Sequence, residues 1–413
     1  MNANNNKYTL FDFSLVYLIL YIFFGYIYTN TVFGNSIFVF ASFLSLFGIF
    51  TLYSFRILKG LRIHRYIALW IPYLLYTALG YLSKGDIEHF AYWMICLYLI
   101  CLANKFHIAD RIPYKMIFNI GVFFLIGIAV QLLLPEVYYE HIAPIFTNYN
   151  QIVYWGRAYG FAGFTYQLDA AAVPLAYAEG VFLFYLWEER PEINKWARYF
   201  VLGLFAIGIL LTGKRMMLLI AVVVPIIVYL LSQKVLNKKI LTVLFLVVTL
   251  ASSVLYIYAN AELFVDNYLL RRIALTFINL KRGIDISTGR TELYRIAFEG
   301  FRNNPLFGIG IGNYSLMEGA YTATHNTYIQ ILCEQGLVGL LIFVLPLVYC
   351  YFHTVGKIRV ACDNNFLRYY RLSLYIQTLY IFYSITANSN INLFGFVMYF
   401  LAISMLSMEK ERH

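Results

Sequence analysis

The 413-residue chain is 61% hydrophobic and only 13% charged, with 38 Tyr, 36 Phe and a formal net charge of +10. A soluble domain carries roughly 45–50% apolar and about 25% charged residues, so this chain has too little polar material to cover a water-exposed surface and asks for a bilayer. The basic residues are dispersed among short segments with no tail or stripe, which argues against a nucleic-acid-binding surface and leaves membrane topology as their use.

A crossing needs about 20 mostly apolar residues. The polar, Asn-rich start runs to Lys7 and gives way to an apolar stretch at 11–29. No small-residue cleavage pattern follows, so this is read as a retained first helix. Further spans are expected at 34–54, 66–83, 88–104, 116–134, 168–187, 199–213, 216–232, 240–258, 326–352, 372–388 and 391–407, twelve in all. The fold class is therefore an all-α polytopic membrane protein, one integral domain over 1–413. With the N-terminus inside, 20 of the 31 Lys and Arg fall in cytoplasmic segments, and seven of the others sit in the single long loop 259–325. The short outer loops hold Lys84, Arg157, Lys214 and Arg215 alone. Both termini are thus expected to be cytoplasmic.

Two outer segments, 135–167 and 259–325, exceed the length of simple turns, and both are rich in aromatic and aliphatic residues. Within the second, 291–302 places Leu293, Ile296, Ala297 and Phe301 on one helical stripe. Asn303, Asn304 and Pro305 end it, and GIGIGNY follows as a turn-rich segment. That glycine run lacks G-x-G-x-x-G spacing and a βαβ context, so it is read as a close turn and not a nucleotide site. No internal repeat supports a duplicated transporter architecture. Of five cysteines, Cys96, Cys101, Cys333 and Cys350 fall in apolar segments and Cys362 in a basic loop, so neither a structural disulfide nor a metal site is expected.

Three outer arginines stand out. Arg215 follows Thr212-Gly213-Lys214 between two spans, Arg157 precedes the sixth span, and Arg290 opens the amphipathic stretch after Ser287-Thr288-Gly289. Guanidinium is always charged and its planar fork matches phosphate oxygens, so three together could hold a diphosphate-linked lipid. Snorkelling or headgroup pairing is the competing use. Arg271, Arg272, Lys281, Arg282, Arg295 and Arg302 are read as solvated or lipid-facing. His325 stands where the tenth span begins; imidazole suits proton acceptance near neutral pH, and capping of the helix is the alternative. Glu334 lies further along the same span, where a carboxylate is costly and marks either function or a bond between helices. Asp169 and Glu179 in the sixth span draw the same notice on weaker grounds. No H-x-x-H, D-x-D or C-x-x-C falls on the outer face, so phosphate chemistry here would rest on fixed cations.

The order of these residues resembles the signature of the O-antigen ligase and polymerase superfamily. Arg290 is followed by EGF-x-x-NPLFG-x-G-x-G from Glu299 and by HN-x-Y-x-x-x-L-x-E-x-G-x-x-G from His325. Thr212 to Arg215 resembles the family's arginine after a span, and Arg157 with Gly160, Phe161 and Gly163 its arginine–glycine segment. This chain has Thr165-Tyr166-Gln167 where the family often carries Pro-Asn, and Lys214 where Ser is common. The resemblance implies a metal-independent glycosyltransferase of the GT-C type in a bacterial cytoplasmic membrane, needing no cofactor. Its partners would be an undecaprenyl-diphosphate-linked glycan donor and acceptor, membrane lipid and a chain-length regulator. His325 would be the general base, Arg157, Arg215 and Arg290 would bind the diphosphate, and Glu334 and Asn326 would support them. Polymerisation of repeat units is the preferred activity, with ligation to the lipid A core as the alternative. A flippase or transporter is a third reading, against which the outer-face clustering speaks.

Overall fold

The computed structural model describes residues 26–34, 65–87, 89–90, 93–94, 112–189, 194–232, 240–267, 270–287, 289–388 and 393–406. Among them the regular structure is helical, with an isolated antiparallel bridge between Thr31 and Phe146 as the β-type pairing. Four helical stretches among the described residues are long and apolar enough to cross a membrane: Arg65–Ser83, Tyr114–Leu133, Leu168–Leu186 and Thr327–Val360. They coincide with expected spans. Five further helices occupy other expected positions, at Lys195–Leu211, Arg215–Leu231, Ile240–Ala259, Asn364–Thr386 and Leu393–Ser404. The expectations for 11–29, 34–54 and 88–104 fall almost entirely outside the described residues.

The chain divides into two compact units, one of Met1–Leu61 with Ile108–Lys214 and one of Arg62–His107 with Arg215–His413. In the first, Ile112–Leu133 packs along Leu168–Val181. Small residues set the approach, since a Cβ on Gly121 would stand 2.1 Å from the Cβ of Ala178. Between the short helix Tyr149–Ala158 and Leu168 the backbone is irregular, and its polar groups find partners within the unit. Gly163 donates its N–H to the Gln131 side-chain oxygen at 2.8 Å and accepts from the Tyr138 hydroxyl at 2.6 Å, while Asn148 donates to the Tyr166 carbonyl at 2.6 Å. Irregular backbone inside a membrane protein persists only where it is satisfied in this way.

The second unit is built around Thr327–Val360. Its 34 residues would span about 50 Å at 1.5 Å each, well past the ~30 Å hydrocarbon core. Trp70 is wholly buried and meets Tyr73, Phe343, Phe396, Tyr399 and Phe400 edge-on, tying three helices through one aromatic nest. Polar cross-links sit beside it. Ser373 donates to the Ala402 carbonyl at 2.6 Å and Gln377 to the Thr354 hydroxyl at 2.7 Å.

Candidate functional site

In the second unit the long helix breaks where the signature places Glu334 and Gly336. Gly336 adopts φ 65° and ψ −162°, a backbone state essentially restricted to glycine. The break frees carbonyls and N–H groups on both sides, and the Asn304–Gly310 loop takes them. Ile309 and Gly310 donate to the carbonyls of Cys333 and Glu334, each at 3.0 Å; Leu337 and Val338 donate to Pro305 and Leu306 at 2.9 and 3.1 Å. The approach leaves no room for side chains. A Cβ on Gly308 would lie 2.3 Å from the Glu334 carbonyl carbon, and one on Gly336 would lie 2.3 Å from the Leu306 oxygen. Both glycines also have positive φ.

Glu334 is buried, and its carboxyl group sits in this glycine turn. It accepts from the Gln330 side chain at 2.7 Å, from the Tyr314 N–H at 3.3 Å and from the Gly312 N–H. Successive N–H groups in a turn of alternating handedness form a concavity suited to an anion. Here the protein's own side chain fills it. Of the two readings the sequence left open, this geometry is a bond that holds the loop to the helix. Lys84, at the end of the Ile71–Ser83 helix, donates to the Asn313 side-chain oxygen and lies close enough for its charge to bear on Glu334.

His325 is exposed and has φ 56°, the one positive value on a non-glycine residue among those described. The cap of its helix is Asn326, whose side-chain oxygen accepts from the N–H groups of Tyr328 and Ile329 at 3.0 and 3.1 Å. The capping alternative for His325 therefore passes to its neighbour. Thr324 bridges the histidine from the other side. Its hydroxyl contacts both the carbonyl and the N–H of Asn326, at 2.9 and 3.2 Å.

Arg290 begins the helix Arg290–Asn303, which buries Leu293, Ile296, Ala297 and Gly300 against Tyr314 and Cys333. The expected stripe holds at Leu293, Ile296 and Ala297, while Gly300 is buried with them and Phe301 is half-buried. A Cβ on Gly300 would press the Cys333 sulfur at 2.8 Å, and a bulkier residue would lift the helix off. The turn before Arg290 is organised by Asp285, whose carboxylate accepts from the Ser287 N–H and hydroxyl at 2.7 and 2.8 Å and from the Gly289 N–H at 3.3 Å. Those bonds hold the Asp285 carboxyl below its ordinary range, the Ser287 hydroxyl first among them. Arg215 is half-buried, donates to the Thr276 hydroxyl, and lies near enough to Arg290 for the two like charges to repel. Two guanidinium groups that feel each other's charge would together attract an anion. Tyr321 joins the arginine and histidine segments, since a Cβ on Gly289 would meet its hydroxyl at 2.3 Å. Arg295 is engaged on the exposed helix face by Glu292 and Glu299, in keeping with a solvated role.

Arg157 belongs to the first unit, exposed in the last turn of Tyr149–Ala158. Its following segment lies on the loop after Leu211. Phe161 donates to the Leu211 carbonyl at 2.8 Å, and a Cβ on Gly160 would be 2.4 Å from the Thr212 oxygen. The two upstream blocks of the signature thus meet each other. Lys214 is engaged by Asp169 at 2.6 Å, so that cation is already balanced. Glu179 is buried on the same span. Among the described residues no group of three His, Cys, Asp or Glu side chains is placed to hold a metal ion, and Cys333, Cys350 and Cys362 are free thiols.

The sequence reading passed over Asp285, Lys84, Thr324 and Gln330. D-x-S-x-G before a helix and T-x-N at a helix start are local capping patterns that could have flagged the first and third. Nothing local marks Lys84, whose partner is remote in sequence.

Apolar helices of crossing length, with a polar, arginine-bearing segment folded onto one of them, mark a membrane protein whose regular structure is helical among the described residues. Within it, residues 200–344 match the family model described as O-antigen ligase, and the resemblance to the O-antigen ligase and polymerase superfamily is borne out over that stretch. Members of that family are glycosyl-transferring enzymes. The chain matches no curated protein.

Proposed function

We propose that this chain polymerises undecaprenyl-diphosphate-linked repeat units into O-antigen or capsular polysaccharide. It does so by metal-independent glycosyl transfer at the outer face of a bacterial cytoplasmic membrane. The scaffold is a twelve-span, GT-C-like one with both termini in the cytoplasm. His325 takes the proton from an acceptor hydroxyl, whose oxygen bonds to the anomeric carbon as the bond from that carbon to the diphosphate oxygen breaks. Arg215 and Arg290 hold the charge that gathers on the departing diphosphate, a role the family resemblance also gives Arg157. Attack opposite the leaving group inverts the anomeric centre.

The observation that carries this reading is that the family-matched stretch contains His325 and the Arg215–Arg290 pair in one compact unit, with Tyr321 against the turn before Arg290. Ligation of finished glycan to the lipid A core is the second reading, favoured by the description of the matching family itself. Deleting the gene and resolving the surface polysaccharide on a gel separates them. Loss of polymerase leaves lipid capped with a single repeat. Loss of ligase leaves uncapped lipid and accumulating lipid-linked polymer. An unchanged ladder would overturn both.

A further inference from the structure

We infer that Thr324 and Gln330 are positioning residues that hold His325 in its left-handed backbone state, through a buried relay running from Glu334; the inference rests on the site reading above. That state is unfavourable for an L-residue, and it persists where the surroundings impose it.

The surroundings here are specific. Gln330 is buried, and both ends of its amide are used. The nitrogen donates to Glu334 at 2.7 Å; the oxygen accepts from the Thr324 N–H at 3.1 Å and from Asn388 at 3.4 Å. Thr324 then spans His325 with its hydroxyl and holds both backbone groups of Asn326. Beyond that, Thr327 is pinned through its N–H and hydroxyl to the Ala387 carbonyl, at 3.2 and 2.8 Å. The residues on either side of His325 are therefore fixed to the long helix and to the end of the Asn364–Thr386 helix, while the imidazole itself is exposed. A chain so fixed turns the side chain outward at one angle. In a base that must reach an acceptor hydroxyl, angle bears on turnover more than on binding.

The test uses the full-length chain in detergent or vesicles, with a synthetic polyprenyl-diphosphate-linked repeat as substrate. Thr324→Val and Gln330→Met should lower kcat by about tenfold or more with KM within about twofold, while Thr324→Ser, which keeps the hydroxyl, should restore kcat. A second measurement needs no activity. Glycine adopts positive φ without help, so the loss of Tm caused by Gln330→Met should shrink in a His325→Gly background. Wild-type kcat in both Thr324→Val and Gln330→Met overturns the inference, as does a Thr324→Ser variant no better than Val, or an equal Tm loss in the two backgrounds. If Thr324→Val fails to accumulate, the Gln330→Met comparisons decide. Full activity of His325→Ala would instead sink the base assignment, and the Tm comparison would still judge the backbone claim.

Discussion

Arg215 and Arg290 are two like charges near enough to repel, with Thr276 accepting from the Arg215 guanidinium and the Asp285 turn fixing where the Arg290 helix begins. Lysine keeps the charge but loses the fork. Arg215→Lys or Arg290→Lys is therefore expected to lower turnover by about tenfold or more in a membrane-based polymerisation assay, and full activity in both would count against a diphosphate clamp. The chemical types at these positions were legible in the sequence, because guanidinium, imidazole and carboxylate announce their chemistry wherever they fall. Their states were not. That Glu334 is spent on the glycine turn, that Lys214 is balanced by Asp169, and that Asn326 and not His325 caps the helix all depend on partners distant in the chain or on backbone angles.

At the scale of elements, the glycine turn and the broken helix form one backbone-to-backbone joint. Gly308→Ala and Gly336→Ala each add the left-handed penalty of about 1–2 kcal/mol to a clash with backbone that cannot move aside. Both should lower the Tm of the solubilised protein, whereas Gly356→Ala, where the added carbon meets nothing within 4 Å, should not. The turn before Arg290 should respond to pH. The Asp285 carboxyl titrates below its ordinary value near about 4, so its contribution is present above that value and is lost as pH falls through the depressed one. Hydrogen-exchange protection at the first turn of Arg290–Asn303, taken relative to the intrinsic rate at each pH, should fall on acidification in the wild type. In Asp285→Ala it should already be low at neutral pH. The amphipathic stripe at 291–302 could be read in advance because its period is local. The break at Gly336 could not, since E-Q-G within an apolar run reads as uninterrupted helix until the loop that completes it is in place.

On the scale of the whole molecule, the described residues hold four helices long and apolar enough to cross a membrane, and residues 200–344 match a family whose members transfer glycosyl groups. Four expected spans reappear as apolar helices of crossing length because hydropathy is a composition property, while an amphipathic terminus extends the helix Asn364–Thr386 beyond its expected start. The aromatic nest around Trp70 was hidden, since nothing in 66–83 tells which helices supply its neighbours. In the proposed reaction an outward-facing imidazole and fixed guanidinium groups act on one lipid-borne sugar. Elongation of a polyprenyl-diphosphate-linked repeat by the purified chain and by His325→Ala, with membrane content of the variant checked alongside, tests this. A variant present at normal level is expected to make no polymer; near-normal chain lengths from it would rule out His325 as the base.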